Sequence, residues 1–277
     1  MKIFIVGLGL MGASYAQKLR DLGNEVHGYD MDSQVNFEAV KDKVILSSNL
    51  DEIKTSDLVI LALYPKDNIT FVKKHKNLFK DQLVTDLAGS KLHLVEELDK
   101  IFPKSVRYVP HHPMAGREKR GYFNRDVTMF DGANFLVIKN ENVNEVDYNQ
   151  IEALGKMLGF GRITRLTAKE HDKLIAHTSQ LTHLLAVGLM LSEDEPHTKL
   201  ATGDSYRDLT RIAKINEDLW TELFLDNKGP LIEQIEHFTK VLEKLKNDIQ
   251  NDKVEDIKKA LRDAKEKRIL FDDFKRK

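Results

Sequence analysis

Apolar and polar positions along the first 165 residues alternate between two kinds of segment. Short runs of apolar and β-branched residues are separated by longer stretches with apolar residues at helical spacing. This alternation predicts a parallel sheet wrapped by helices, because parallel strands need crossover connections that are usually helical. The predicted strands span residues 2–6, 25–29, 58–63, 83–86, 106–109, 134–138 and 162–166.

The run at 58–63 (LVILAL) is apolar at every position. A strand that is buried on both faces reads in this way, so we expect it near the centre of the sheet. Residues 13–22, between the first two strands, have helical spacing and are followed by Gly23.

From about residue 168 onward the strand signals stop. Residues 170–191 are apolar nearly all round, which favours a helix buried in a bundle or in a subunit interface. Residues 230–250 carry apolar residues at helical spacing among lysines and glutamates, and residues 254–269 repeat the pattern more weakly. The pattern therefore predicts an α/β domain over residues 1–166 and an all-helical domain over residues 167–277.

Composition and charge exclude several classes of protein. The 277 residues carry a net charge of -1, so no electrostatic argument supports binding to nucleic acid or to an anionic membrane. Mean hydropathy is -0.41, and we expect no membrane span. The absence of cysteine excludes a thiolate nucleophile and a cysteine-ligated metal, and we expect no metal site. The opening MKIFIVG indicates a strand rather than a signal peptide, so we expect a soluble cytoplasmic protein.

A glycine-rich turn, GLGLMG at 7–12, follows the first predicted strand and opens a helix. In this context the first glycine permits a tight turn, the second lets the backbone approach a pyrophosphate, and the third lets helix and strand pack closely. Phosphates would lie at the helix N-terminus, where free N–H groups favour negative charge. We therefore predict a Rossmann-type doubly wound sheet that binds a dinucleotide through Gly7, Leu8, Gly9, Leu10, Met11 and Gly12.

The cofactor is predicted from Asp30, which ends the second strand. A carboxylate there accepts hydrogen bonds from the ribose hydroxyls and repels a 2′-phosphate, so it selects NAD over NADP.

A second informative stretch is VPHHPMAGREKRGY at 109–122. Its histidine beside Pro113 is conformationally restricted, and two glycines allow a loop to fold around it. We predict a loop beyond the fifth strand, at the edge of the sheet where such folds bind ligands. A neutral imidazole there can accept the proton of a substrate hydroxyl while hydride leaves the same carbon.

Four motifs, in order along nearly the whole chain, carry a family resemblance. They are GLGLMG at 7–12, DLAGSK at 86–91, HPMAGREKRG at 112–121, and DLTRIA at 208–213 followed by Trp220. Together they resemble the prephenate dehydrogenases and the related arogenate dehydrogenases. The HPMAG segment at 112–116 and the TRIA segment at 210–213 with Trp220 are far more specific than the glycine turn.

The resemblance implies an oxidative decarboxylation in tyrosine biosynthesis. In that reaction prephenate and NAD+ give 4-hydroxyphenylpyruvate, CO2 and NADH. The enzyme must orient the ring, accept the proton of the ring hydroxyl and bind two carboxylates.

The resemblance also implies roles for individual residues. His112 matches the catalytic histidine, and Ser90 matches a serine that orients this histidine near the nicotinamide. His111 does not match and is expected to be structural. Glu118 matches an acidic residue near the active-site entrance.

Three further matches lie in the helical domain. Arg211 matches an arginine that binds the ring carboxylate, which suits the planar guanidinium fork. His183 matches a histidine of the substrate pocket, and Trp220 a tryptophan close to the active site. The resemblance further implies a homodimer formed through residues 167–277, which would also bind the substrate.

The sequence departs from the family pattern at three positions. Gln180 replaces a histidine and Thr182 replaces a proline in the segment Ser179–His183, and Arg117 stands where a small hydroxyl residue is usual. We expect Gln180 and Arg117 to contact the substrate. Arg117 would bind the carboxylate on the side chain of the substrate. Prephenate is the favoured substrate, with arogenate as the alternative.

Two other functions remain open. A 3-hydroxyacid dehydrogenase of similar plan would use a lysine in the helical domain, preceded by a glycine-rich segment, and no such segment is seen. A non-catalytic NAD-sensing protein would keep the glycine turn and Asp30 but would not need His112 and Arg211 together.

Overall fold

The structure is a computed structural model that describes residues 1–117 and 119–272. A five-stranded parallel sheet forms its N-terminal part, in the order β2-β1-β3-β4-β5. Its strands are β1 (Lys2–Val6), β2 (Glu25–Tyr29), β3 (Leu58–Leu61), β4 (Leu83–Asp86) and β5 (Arg107–Tyr108). The connecting helices are α1 (Leu10–Asp21), α2 (Ser33–Lys41), α3 (Pro65–His75) and α4 (Leu92–Ile101). The predicted doubly wound sheet is confirmed.

Helices cover both faces of this sheet, which explains the continuous apolar runs. Every residue of β3 and β4 is buried. Alternate residues of β1 and β3 contribute to two separate apolar clusters, one on either side of the sheet. The carboxyl ends of the strands thus meet along one edge that is fixed by a core on each side.

A second, three-stranded sheet accommodates the remaining strands. It consists of β6 (His111–Met114), β7 (Asn134–Lys139) and β8 (Arg162–Thr167), with α5 (Glu145–Met157) between the last two. The prediction of one continuous sheet was wrong here, as was the loop predicted after β5, because β6 pairs antiparallel with β7. Segment 111–114 lacks a strand-like pattern, yet its Pro113 is compatible with β6 because β6 lies at a sheet edge.

The chain beyond β8 is helical in the part that the structure describes, as predicted. Its helices are α6 (Ala168–Ile175), α7 (Thr182–Leu191), α8 (Thr198–Ala201), α9 (Asp204–Thr210), α10 (Glu217–Asp226), α11 (Lys228–Gln250) and α12 (Val254–Asp272). The single helix expected over 170–191 is interrupted, since Ala176–Leu181 forms a π-helical turn between α6 and α7.

A capping box marks the start of α6. The Thr167 side chain accepts from the Glu170 N–H, and the Glu170 carboxylate accepts in return from the Thr167 N–H. This reciprocal pair satisfies two N–H groups that a helix start otherwise leaves open. It ends β8 and begins the helical part within a few residues, close to the boundary expected at 166.

The run Ala168–Leu191 is exposed to an unusual degree for its apolarity. Its most apolar 18-residue window has a mean hydropathy of 1.4, but only 28% of that window is buried. Leu174 and Leu191 are 48% and 82% exposed. By length and composition alone the run is long and apolar enough to cross a membrane. Its first turns, however, hold charged residues such as Asp172 that are buried against the N-terminal part.

Candidate active site

The glycine turn at the end of β1 has the geometry that its sequence predicts. Gly7 has a φ of +90°, which disfavours any side chain. A Cβ on Gly12 would lie 1.9 Å from the carbonyl oxygen of Gly7, so only glycine lets α1 approach the turn. A Cβ on Gly9 would meet nothing within 4 Å. Open space therefore remains above Gly9, at the N-terminus of α1.

That N-terminus carries no side-chain cap. The first N–H groups of α1 therefore remain available to an anion, as a pyrophosphate site requires. The half-buried Asp30 lies beside this turn, because its carboxylate accepts from the Leu8 N–H at 2.7 Å and from the Asp32 N–H at 3.0 Å. The uncapped helix, the space at Gly9 and the fixed carboxylate fit a dinucleotide.

His112 lies on β6, across the sheet edge from the glycine turn. Its Nδ1 is 2.9 Å from Nε2 of His171, and Nδ1 of His171 is 2.7 Å from Oδ1 of Asp172. His171 and Asp172 are buried, whereas His112 is half-buried. Three side chains from β6 and α6 thus form one hydrogen-bonded line.

Both histidines of this line are neutral near pH 7. Burial lowers the pKa of His112 well below its usual range, and nearby His171, Lys91 and His111 act in the same direction. Burial also lowers the pKa of His171, although the hydrogen bond to Asp172 opposes this effect. A neutral His112 has one nitrogen that can accept a proton.

A buried ion pair lies beneath these histidines. Nζ of Lys91 is 2.5 Å from Oδ1 of Asp86 and 2.6 Å from the carbonyl oxygen of His111, and neither side chain of the ion pair is exposed. The Tyr108 hydroxyl donates to the other carboxylate oxygen at 2.7 Å. Burial lowers the pKa of Lys91, and the Asp86 carboxylate offsets part of that change. The pair joins β4, β5 and β6 at the edge that carries His112.

His111 has the structural role that was expected of it. Its ring is fully buried, with Nε2 3.0 Å from the Tyr15 hydroxyl and Nδ1 2.6 Å from Oγ1 of Thr85. It stacks on Phe135 with ring centroids 4.4 Å apart. Because successive residues of a strand point to opposite faces, His112 faces the other way.

Ser90 lies in the turn after β4, close to His112. The position of a Cβ on Gly89 would be 3.8 Å from Cε1 of His112. The Ser90 hydroxyl, however, donates to Asp226 at 3.4 Å, and the hydrogen-bond partner of His112 is His171. No hydrogen bond joins Ser90 to His112 in this structure, and the orienting role of Ser90 stays a prediction.

One side of α10 joins the helical part to this turn. Leu223 packs over Gly89, and Asp226 one turn later meets Ser90. Trp220 one turn earlier stacks on His183 with ring centroids 3.8 Å apart. His183 and Trp220 thus lie together at the end of α10 away from Ser90.

Gln180 has a packing role instead of the expected substrate contact. It is 1% exposed, its amide nitrogen donates to the Leu223 carbonyl at 2.8 Å, and its amide oxygen accepts from Asn227 at 2.8 Å. A buried side chain whose amide nitrogen and oxygen both bond within the protein holds the neighbouring elements together. The π-helical turn that carries it is thereby tied to the end of α10.

Of three further predicted site residues, the structure places Arg117 and Arg211 but not Glu118. Arg117 is exposed and forms an ion pair with Asp126 at 3.0 Å, so its cation is already partnered. Glu118 lies outside the described residues. Arg211 is exposed and begins a short 3-10 turn that packs against α7, the helix of His183.

Comparison with known proteins was decisive for the family. A family model described as the nucleotide-binding domain of prephenate dehydrogenase matches residues 15–160, and one described as its dimerization domain matches residues 167–263. The chain belongs to the prephenate dehydrogenase family. Its fold, its nucleotide-binding N-terminal part and the resemblance stated above are confirmed.

Individual relatives agree with this membership. Prephenate dehydrogenase of Lactococcus lactis is 29% identical over 88% of this chain and 70% of its own length. Cyclohexadienyl dehydrogenase of Zymomonas mobilis is 28% identical over 89% of this chain and 88% of its own. The crystal structure of prephenate dehydrogenase from Aquifex aeolicus, in complex with hydroxyphenyl propionate and NAD+, superimposes with a TM-score of 0.87 at 27% identity, covering 98% of each chain.

Sequence reasoning missed four of the residues that build this site. Asp86 and Lys91 lie in the DLAGSK motif, where only the serine was singled out. An aspartate at the end of a predicted strand with a lysine five residues later is a signal for a buried ion pair. His171 and Asp172 follow a capping box in the first turn of α6, and an adjacent histidine and aspartate at a domain boundary was the available signal.

Replacing Gly12 by alanine tests the glycine turn. The added methyl group would overlap the Gly7 carbonyl, so we expect the free energy of unfolding in urea to fall by about 1–3 kcal/mol, with loss of NAD+ binding. Gly9→Ala is the matched control: its φ of -66° suits alanine and its surroundings are open. It should keep the wild-type unfolding free energy while weakening NAD+ binding, and equal destabilisation by both substitutions would contradict this account.

Proposed function

We propose that this enzyme converts prephenate and NAD+ to 4-hydroxyphenylpyruvate, CO2 and NADH. The observation that carries the proposal is the neutral His112 at the carboxyl edge of a nucleotide-binding sheet. Such an imidazole can accept the proton of a ring hydroxyl without first losing one of its own. Family membership names the reaction, and the site contains the acceptor that the reaction needs.

The cofactor is NAD, held by the turn from Gly7 to Gly12 and by Asp30. The N–H groups of α1 would receive the pyrophosphate, and the Asp30 carboxylate would accept from the adenosine ribose. When bound, the nicotinamide supplies the acceptor for the hydride that leaves the substrate ring.

His112 acts as the general base. Its unprotonated nitrogen takes the proton of the ring hydroxyl as that carbon becomes a ketone. The C–C bond to the ring carboxylate then breaks and CO2 leaves. The electron pair of that bond enters the ring and makes it aromatic, and the former ketone oxygen takes the proton back from His112 to give the phenol. The buried surroundings of His112 keep it neutral and therefore competent as an acceptor near pH 7.

We assign substrate binding mainly to the helical part. Arg211 would bind the ring carboxylate, and His183 with Trp220 would line the pocket. Ser90 would contribute from the turn after β4, and Arg117 would bind the carboxylate of the substrate's side chain. For Glu118, which lies outside the described residues, the resemblance implies a role near the active-site entrance. Residues 1–166 then hold the cofactor, and residues 167–277 hold the substrate and the second subunit.

Arogenate is the second candidate substrate, because a cyclohexadienyl dehydrogenase is among the similar proteins. The experiment incubates the purified enzyme with NAD+ and either prephenate or arogenate, and follows NADH by absorbance. Turnover with prephenate at a kcat/KM well above that with arogenate is the expected result. Preference for arogenate would replace the substrate, and no turnover with either would refute the activity.

Replacement of His112 by asparagine tests the general base. We expect kcat to fall by about 10²- to 10⁴-fold with NAD+ affinity nearly unchanged. In the wild type, activity should be lost as the pH falls through the lowered pKa of His112, so the acidic limb of kcat/KM should lie below about 6.5, the ordinary value for histidine. His93→Asn, an exposed histidine on α4, is the control. An unchanged kcat in His112→Asn would exclude the assigned role.

We also propose a cytoplasmic homodimer. The matched dimerization domain and the exposed apolar surface of Ala168–Leu191 support this, since a second copy would cover that surface. Sedimentation equilibrium should give twice the chain mass of 31.8 kDa. Leu174→Glu on α6 should shift the protein toward monomer, whereas Phe123→Glu, at an exposed apolar residue of the N-terminal part, should not. A wild-type monomer at micromolar concentration would refute the dimer.

A further inference from the structure

The line from His112 through His171 to Asp172 has defined partners at both ends. At the inner end the Asp172 carboxylate accepts from the backbone N–H groups of Lys91 and Leu92, each at 2.9 Å. At the outer end, no residue in 1–117 or 119–272 hydrogen-bonds to Nε2 of His112. Among the described residues, only Nδ1 of His27 is a buried side-chain nitrogen or oxygen without a hydrogen-bond partner. The unpartnered Nε2 of His112 is therefore accessible from outside the protein.

The proton positions along this line follow by elimination. Two backbone N–H groups point at Asp172, so its oxygens act as acceptors and the Nδ1 of His171 must donate to it. A neutral His171 then has no proton on Nε2, which accepts from the Nδ1–H of His112. A neutral His112 carries its single proton there. Its Nε2 is left with a lone pair.

We propose that His171 and Asp172 are positioning residues that select this tautomer of His112. They hold its proton on Nδ1 and so present the Nε2 lone pair to the substrate hydroxyl. The inference deepens the proposed function and rests on the role of His112 as general base. With the opposite tautomer, His112 would offer the substrate a donor and could not accept its proton.

The surroundings support the same arrangement. The Lys91 ammonium donates to the His111 carbonyl oxygen directly before His112, and the Asp86 carboxylate pairs with that ammonium. A cation below the line disfavours a second proton on either imidazole. Electrostatics keeps the two rings neutral, and Asp172 decides which nitrogen of each ring bears the proton.

The line also crosses between the two parts of the chain. His112 belongs to the N-terminal part, whereas His171 and Asp172 are in the first turn of α6. Asp172 meets α4 at its first N–H groups, and its carbonyl oxygen accepts from Asn227 at 2.8 Å. The tautomer of His112 therefore depends on the helical part being seated against the sheet.

A spectroscopic experiment tests the tautomer without any substrate. Two-bond ¹H–¹⁵N correlation spectra distinguish a protonated from an unprotonated imidazole nitrogen, and the His112 signals are those that vanish in His112→Asn. We expect Nδ1 of His112 to be protonated in the wild type. In His171→Leu, which removes the acceptor, a substantial population should shift to the Nε2-protonated form. A wild-type His112 protonated on Nε2, or a tautomer unaffected by His171→Leu, would overturn the proposal.

Kinetics test whether His171 acts through His112. His171→Leu should lower kcat by about 10- to 100-fold with little change in NAD+ affinity. His171→Gln keeps an acceptor at the end of the side chain and should recover most of the loss. In the His112→Asn background, His171→Leu should have no further effect, because the group that it positions is gone.

The controls separate this role from a structural one. His177→Leu, an exposed histidine on the same helical run, should leave kcat unchanged. Urea unfolding of each variant reports whether His171→Leu is folded. An equal loss in the His112→Asn background would mean that His171 is merely structural. Because the spectra need no turnover, an inactive wild type would refute the proposed function alone.

Discussion

The Asp172 carboxylate is the contact on which the arrangement of this enzyme depends. It accepts two N–H groups at the start of α4 and one from His171, so a single side chain caps a helix of the N-terminal part and anchors the histidines. An ionised group buried to this extent is stable only with such partners, since an unpaired buried charge costs several kcal/mol. The contact between the N-terminal part and the helical part therefore holds the site in place.

The adjacent histidines His111 and His112 have different roles because a strand points neighbouring side chains to opposite faces. His111 faces the apolar interior, and its two ring nitrogens form hydrogen bonds with Tyr15 and Thr85. His112 faces the opposite side and keeps one nitrogen accessible. The residue type is the same in both, and the alternation of the strand assigns one to packing and the other to chemistry.

Local sequence rules predicted much of the fold. The five parallel strands, the glycine turn and the helical second part follow from periodicity and from the steric demands on Gly7 and Gly12. β6 was missed because its ladder with β7 depends on a partner more than 20 residues away in sequence, which periodicity does not report. The π-helical turn was missed for a similar reason, since it places Gln180 against α10 by a tertiary contact.

The site was predictable only where one residue carries its chemistry in its own motif. His112, His111 and Asp30 could be identified in this way. The burial of the Lys91–Asp86 pair and the line through His171 depend on the fold, and the burial of Gln180 is not revealed by a substitution within a motif. The hydrogen bond from His112 to His171 spans 59 residues of sequence, so no local pattern encodes it.

Helix α10 also fixes the distance between two contacts of the site. Trp220 and Asp226 lie on one side of it, six residues apart, so the helix separates the His183 stack from the Ser90 turn by about 9 Å along its axis. A helix cannot stretch, so that spacing is set by residue count alone. Insertion of a single residue between them would rotate one end by about 100° relative to the other. The number of residues between Trp220 and Asp226 therefore fixes both the distance and the relative orientation of these two contacts.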